Sequence, residues 1–175
     1  MSSSPLTITT NGKEIKVAIN ASPPIFLAKA ELLYILKELF GKIYTTKSVM
    51  DEIKKPLQLG YEAPEIKAIE KLKWIKVIEL NEDEKRLAEK IAQELKLSKG
   101  EVEVAILYKK MKLDLMILAD RFAEKKLKGI GINTEDIIDI GFEAARRELI
   151  DIRDFLQKVW HTGYKTRRLR KILFG

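Results

Sequence analysis

The 175-residue sequence has no cysteine and one histidine, His161. Disulfides and thiolate sites are therefore excluded. A single imidazole supports neither a His-ligand zinc site nor a Ser-His-Asp triad. No apolar run approaches the roughly 20 residues that span a bilayer. The opening MSSSPLTITTNG lacks the basic start and apolar stretch of a signal peptide, so a cytoplasmic protein with no membrane association is expected. Gly129-Ile130-Gly131 lacks the third glycine of a dinucleotide fingerprint and follows a helix. It reads as a helix stop.

What is present suits one domain. Hydrophobic residues make up 46% of the chain, enough for a sizeable core at this length. We expect one unit over 1–175, with a hairpin extension at 1–14 and C-terminal helices at 151–175. Abundant Lys, Glu and Ile with few Gln resemble thermophile usage. The net charge of +7 favours a polyanionic partner. The excess crowds the end of the chain, at Lys165, Arg167, Arg168, Arg170 and Lys171. Such a tail is either a nucleic-acid contact or solvated surface.

Ile15, Val17 and Ile19 alternate with Lys16 and Ala18, a strand pattern that stops at Asn20-Ala21-Ser22-Pro23. Asn11-Gly12 before it suits a two-residue hairpin turn. Pro24 to Phe40 reads as one covered helix ended by Gly41, and Lys42 to Thr45 as a strand. Thr46 or Ser48 can cap the next helix. Pro56 to Gly60 reads as a loop, Ala63 to Lys73 as a helix, and Trp74 to Leu80 as a third strand. Asn81 with Glu84, and Ser98 with Glu101, form capping patterns. Leu113 to Ala119 is a buried-type strand ending at Asp120. Asn133-Thr134 is expected to open a helix towards Leu149, with further helices at Asp151 to Trp160 and Thr166 to Leu173. This alternation implies an α/β fold with a mainly parallel sheet and helices on both faces.

A few polar residues stand out. In open α/β sheets ligands bind beyond the carboxyl ends of the strands, where Asn20, Ser22 and Asp120 fall. Asp120 suits either a helix N-cap or a metal ligand, and the two roles are compatible. Glu103 interrupts VEVAILY, so its carboxylate faces a covered surface and needs a cation, a donor or a metal. Glu101 suits capping as well as it suits chemistry. Glu52, in MDEIKK, reads alone as solvated helix surface.

Asn20-Ala21-Ser22-Pro23, Glu52, Gly100-Glu101-Val102-Glu103-Val104-Ala105-Ile106 and Leu118-Ala119-Asp120-Arg121, in this order, resemble a PIN-domain protein. The subfamily they resemble is related to VapC-type toxins, and the likeness runs from about Val17 to Leu173. It implies a compact α/β fold with acidic residues gathered at one sheet edge, Mg²⁺ or Mn²⁺ as cofactor, and hydrolysis of RNA phosphodiester bonds. By position, Asn20 stands where the family has its first Asp, with Ser22 beside it. Glu52, Glu103 and Asp120 take the next three acidic positions, and Glu101 matches the first Glu of the helix motif. The resemblance thus implies Glu52, Glu103 and Asp120 as catalytic, Asn20, Glu103 and Asp120 as metal ligands, and Ser22 and Glu101 as auxiliary. Arg121 and the tail, Lys165, Arg167, Arg168, Arg170 and Lys171, would hold RNA. A homodimer and a small antitoxin are the partners it suggests. Asn20 for Asp, and Ala119 for the first Asp of Asp-Asp-Arg, weaken the charge at the metal. The alternative is a catalytically degenerate module binding RNA or a protein.

Overall fold

Alternating apolar residues put Val17 and Ile19 on one face of the sheet and Ala18 on the other. All three are buried, which makes this strand the middle of the molecule. The computed structural model describes residues 9–10 and 13–175. A hairpin pairs β1 (Thr9–Thr10) with β2 (Lys13–Glu14) as expected, and its Asn11-Gly12 turn lies outside the described residues. The main strands are β3 (Val17–Ile19), β4 (Ile43–Thr46), β5 (Ile75–Ile78), β6 (Leu115–Ile117) and β7 (Thr134–Glu135). They form one sheet in the order β5-β4-β3-β6-β7, every pair parallel.

The helices are α1 (Ser22–Lys29), α2 (Tyr34–Phe40), α3 (Lys47–Gln58), α4 (Pro64–Glu70), α5 (Glu82–Leu95), α6 (Lys99–Lys110), α7 (Arg121–Gly129), α8 (Ile137–Arg146), α9 (Ile152–His161) and α10 (Arg167–Phe174). Two apolar layers sandwich the sheet. Val17, Ile19, Leu115 and Ile117 pack with residues of α1, α2, α8, α9 and α10. Ala18, Met116 and Leu118 pack with residues of α3, α4, α6 and α7.

Chain order runs outward from β3 through β4 to β5, then returns to β6 and β7 on the other side. The crevice beyond the carboxyl ends of β3 and β6 is therefore a topological switch point, where an open sheet leaves room for a ligand.

Three sequence expectations are corrected. The covered segment from Pro24 to Phe40 is two helices, because Glu31 turns left-handed at φ 59°. Leu32 N–H then donates to Leu27 O at 2.8 Å and Glu31 N–H to Ala28 O at 3.0 Å, a Schellman ending without glycine. Pro56 lies inside α3, not in a loop; near a helix end it removes only one donor, that for the Glu52 carbonyl. Asn133-Thr134 leads into β7, and the following helix starts two residues later on the Asp136 cap.

Candidate metal and RNA site

Asn20 follows β3 directly, and its N–H donates to Ile117 O at 3.0 Å, so the ends of β3 and β6 are tied together. Asn20 is half-buried and Ser22, the first residue of α1, is exposed. Pro23 and Pro24 fill the first turn of α1 without wasting donors. Across the crevice, Asp120 is exposed and caps α7. Its Oδ1 accepts from Phe122 N–H at 2.8 Å and Ala123 N–H at 3.1 Å. The second oxygen, Oδ2, has no protein donor among the described residues.

On the other flank, Thr45 Oγ1 donates to Ile19 O at 2.7 Å and fixes β4 against β3. Thr46 caps α3 by accepting from Val49 N–H at 3.1 Å. That sets the helix phase that carries Glu52. The Glu52 carboxylate rests against the first turn of α6, its Oε2 3.9 Å from where a Cβ on Gly100 would stand. The positive end of a helix favours a carboxylate there.

Glu103 lies one turn beyond Gly100 on the same face of α6. It is 1% exposed and makes no hydrogen bond or ion pair among the described residues. Glu101 is committed to the capping box: its Oε1 accepts from Ser98 N–H at 3.0 Å, and Ser98 Oγ accepts from Glu101 N–H.

The fold thus brings Glu52 to the turn before Glu103, and Asn20 to the strand end before Asp120. It does not gather Glu52, Glu103 and Asp120 into a ready cage. Among the described residues, no group of three or more His, Cys, Asp or Glu side chains is placed to hold a metal ion.

The tail is not one free basic surface. Arg168 pairs with Asp136 at 3.0 Å and Asp139 at 2.9 Å. Lys165 and Arg170 lie over the Trp160 ring, 5.0 and 5.8 Å from its centroid. Arg121, Arg167 and Lys171 are exposed and make no ion pair among the described residues.

Asp136 is the residue that sequence reasoning missed. It stands at the end of β7, next to the end of β6 that carries Asp120, and is 3% exposed. Burial pushes its carboxyl above the ordinary range, against the pull of Arg168. Burial acts in the same sense on Asp139, but its bond to Arg168 holds that carboxyl below the usual value. Burial first, then Asp136 and Glu124, raise the phenol of Tyr164, whose hydroxyl reaches Ala119 O at 3.4 Å. The signal was present: Asp136-x-x-Asp139 before an apolar run is a capping box. The expected helix start at Asn133 had hidden it.

A model of the PIN-domain family matches residues 16–170. Among solved structures, PAE2754 from Pyrobaculum aerophilum aligns with a TM-score of 0.51 at 19% identity, over 78% of this chain and 98% of that one. A likeness at that identity concerns the fold. A search of curated proteins finds no match for the chain.

Proposed function

Because the chain belongs to the PIN-domain family, we infer that it is a metal-dependent ribonuclease of the toxin type, cutting RNA phosphodiester bonds at the carboxyl edge of its sheet. The observation that carries this reading is Glu103, buried to 1% exposure with no cation paired to it among the described residues. A carboxylate set among apolar neighbours is stabilised when a positive charge joins it. PIN domains generally use divalent metals, and the hard oxygen donors of Glu103, Asp120 and Asn20 are of the kind that such an ion prefers. Mg²⁺ needs only one or two carboxylates, its remaining positions going to water and substrate phosphate.

Glu103 and the free oxygen of Asp120 would hold the ion, with the Asn20 amide oxygen as a neutral donor. When bound, such an ion lowers the pKa of an attacking water and neutralises charge on the leaving oxygen. Ser22 and Glu52 orient water at the edge, and Arg121, Arg167 and Lys171 hold phosphates. Replacing a carboxylate by Asn20 forgoes roughly 4 kcal/mol of attraction per unit charge at about 4 Å and an effective dielectric near 20. An ion held by these residues would accordingly bind weakly and would leave positions for water and substrate phosphate. A homodimer and a small antitoxin belong to the same reading.

The test is a Mn²⁺ titration followed by thermal melting, with single-stranded RNA cleavage assayed alongside. The wild-type midpoint rises with Mn²⁺. Glu103→Gln and Asp120→Asn lose both that rise and cleavage, and Asn20→Asp tightens the ion at least tenfold. Cleavage unchanged in both carboxylate variants would falsify the assignment. The neutral Asn20 favours one second reading, a degenerate module that keeps RNA without cutting it. It predicts RNA retention with no Mn²⁺-dependent rise.

A further inference from the structure

We propose that the opposite, amino end of the sheet carries a separate binding surface for single-stranded nucleic acid. Lys37 near the end of α2, Lys42 entering β4, and Lys73 and Lys76 around the start of β5 line one concavity of about 510 Å³ with Trp74. All four lysines are exposed. None of them has a carboxylate partner: the lysine ion pairs of the described residues use Lys47, Lys85, Lys110, Lys128 and Lys158 instead. Glu14 is the single carboxylate lining the concavity.

The fold forces this gathering. Gly41, at φ 76°, turns α2 sharply into β4 and places Lys42 at its mouth. The β4–β5 ladder sets Ile43 opposite Ile75 and Tyr44 opposite Lys76. Ile43 N–H donates to Trp74 O at 3.0 Å, which fixes the Trp74 backbone beside Lys42. The Lys42 Nζ lies 5.9 Å from the Tyr44 ring centroid.

Unpaired cations around a half-exposed indole match a ligand that carries both phosphates and flat apolar faces. Single-stranded nucleic acid has both, and proteins bind it through basic grooves with aromatic stacking platforms. An anionic membrane or a polyacidic peptide would meet the lysines without stacking a planar base on the indole face, which is the contact that separates these ligands in the test. The surface is distinct from the acid-bearing edge, because β4 and β5 run between them.

The experiment is a salt series with a fluorescein-labelled oligouridylate in EDTA, so that the outcome is independent of any ion at the other edge. In a Trp160→Phe background Trp74 is the only tryptophan, and its emission should be quenched on binding. The combined change Lys37→Gln, Lys42→Gln, Lys73→Gln, Lys76→Gln, checked for retained fold by circular dichroism, removes that quench. It also makes the slope of log K against log salt shallower by about 3, at roughly 0.7 per phosphate contact on a single strand. An unchanged slope in that variant, or Trp74 emission that does not respond to the oligonucleotide, overturns the proposal. So does equal quenching by phosphatidylserine vesicles or polyglutamate.

Discussion

At the scale of single residues, the charges around β7 set a pH response. Glu135 is half-buried, and burial, then Asp139, Glu143 and Asp136, raise its carboxyl above 4.5. The folded protein holds this proton more firmly than the unfolded chain does. Its stabilising contribution is therefore complete below the ordinary glutamate range and lost as pH rises through the raised value. At neutral pH the charged Glu135 works against the fold. Glu135→Gln should raise the urea midpoint at pH 7, with the two curves converging below about pH 4. Equal midpoints at neutral pH would show that neither burial nor the neighbouring acids penalise its charge.

At the scale of elements, the helix endings divide what could be read from what could not. Asn81 with Glu84 and Ser98 with Glu101 were legible as capping boxes, because a short acceptor and an acid three residues on leave few other readings. The break after α1 was not, because its left-handed residue is Glu31 and the apolar run continues through Leu32 and Leu33. The same device recurs at Lys96, Lys112 and Glu148, each with positive φ and each followed by a leucine. In every case that leucine N–H donates back to a carbonyl five residues earlier, as Leu113 does to Tyr108 at 2.9 Å. A charged side chain in this conformation hides the stop from anyone looking for glycine. Lys112→Gly should stabilise the protein by about 0.5–1 kcal/mol, since the removed left-handed strain outweighs the added freedom of the unfolded chain. Equilibrium urea unfolding measures it, and a loss of stability would mean that the Lys112 stem is needed for packing.

At the scale of the whole molecule, the parallel sheet and its two apolar layers were legible from alternating strands and covered helices. The carboxyl-edge residues were placed by the strands that end at Asn20 and Asp120. Asp136 escaped because its strand is only two residues long, too short for a period to appear. Depth in this sheet falls from the centre to the rims. The amides of Ala18 and Met116, on buried strands with neighbours on both sides, should exchange with solvent only on global opening. Those of Lys76 and Ile78 on the rim strand β5 should exchange by smaller openings. Hydrogen-exchange mass spectrometry distinguishes the two, and equal protection would mean that the sheet opens as one unit.

The Arg168 contact gives the last helix a hold on the rest of the molecule. Lys165, one residue before the Thr166 cap of that helix, is exposed. A tryptic nick at that position would cut the covalent tether of the segment that supplies Arg168. If the segment then departed, the enclosed Asp136 would lose its counter-charge beside the crevice. A site that looks self-contained at one rim of the sheet is thus wired to the first turn of α10.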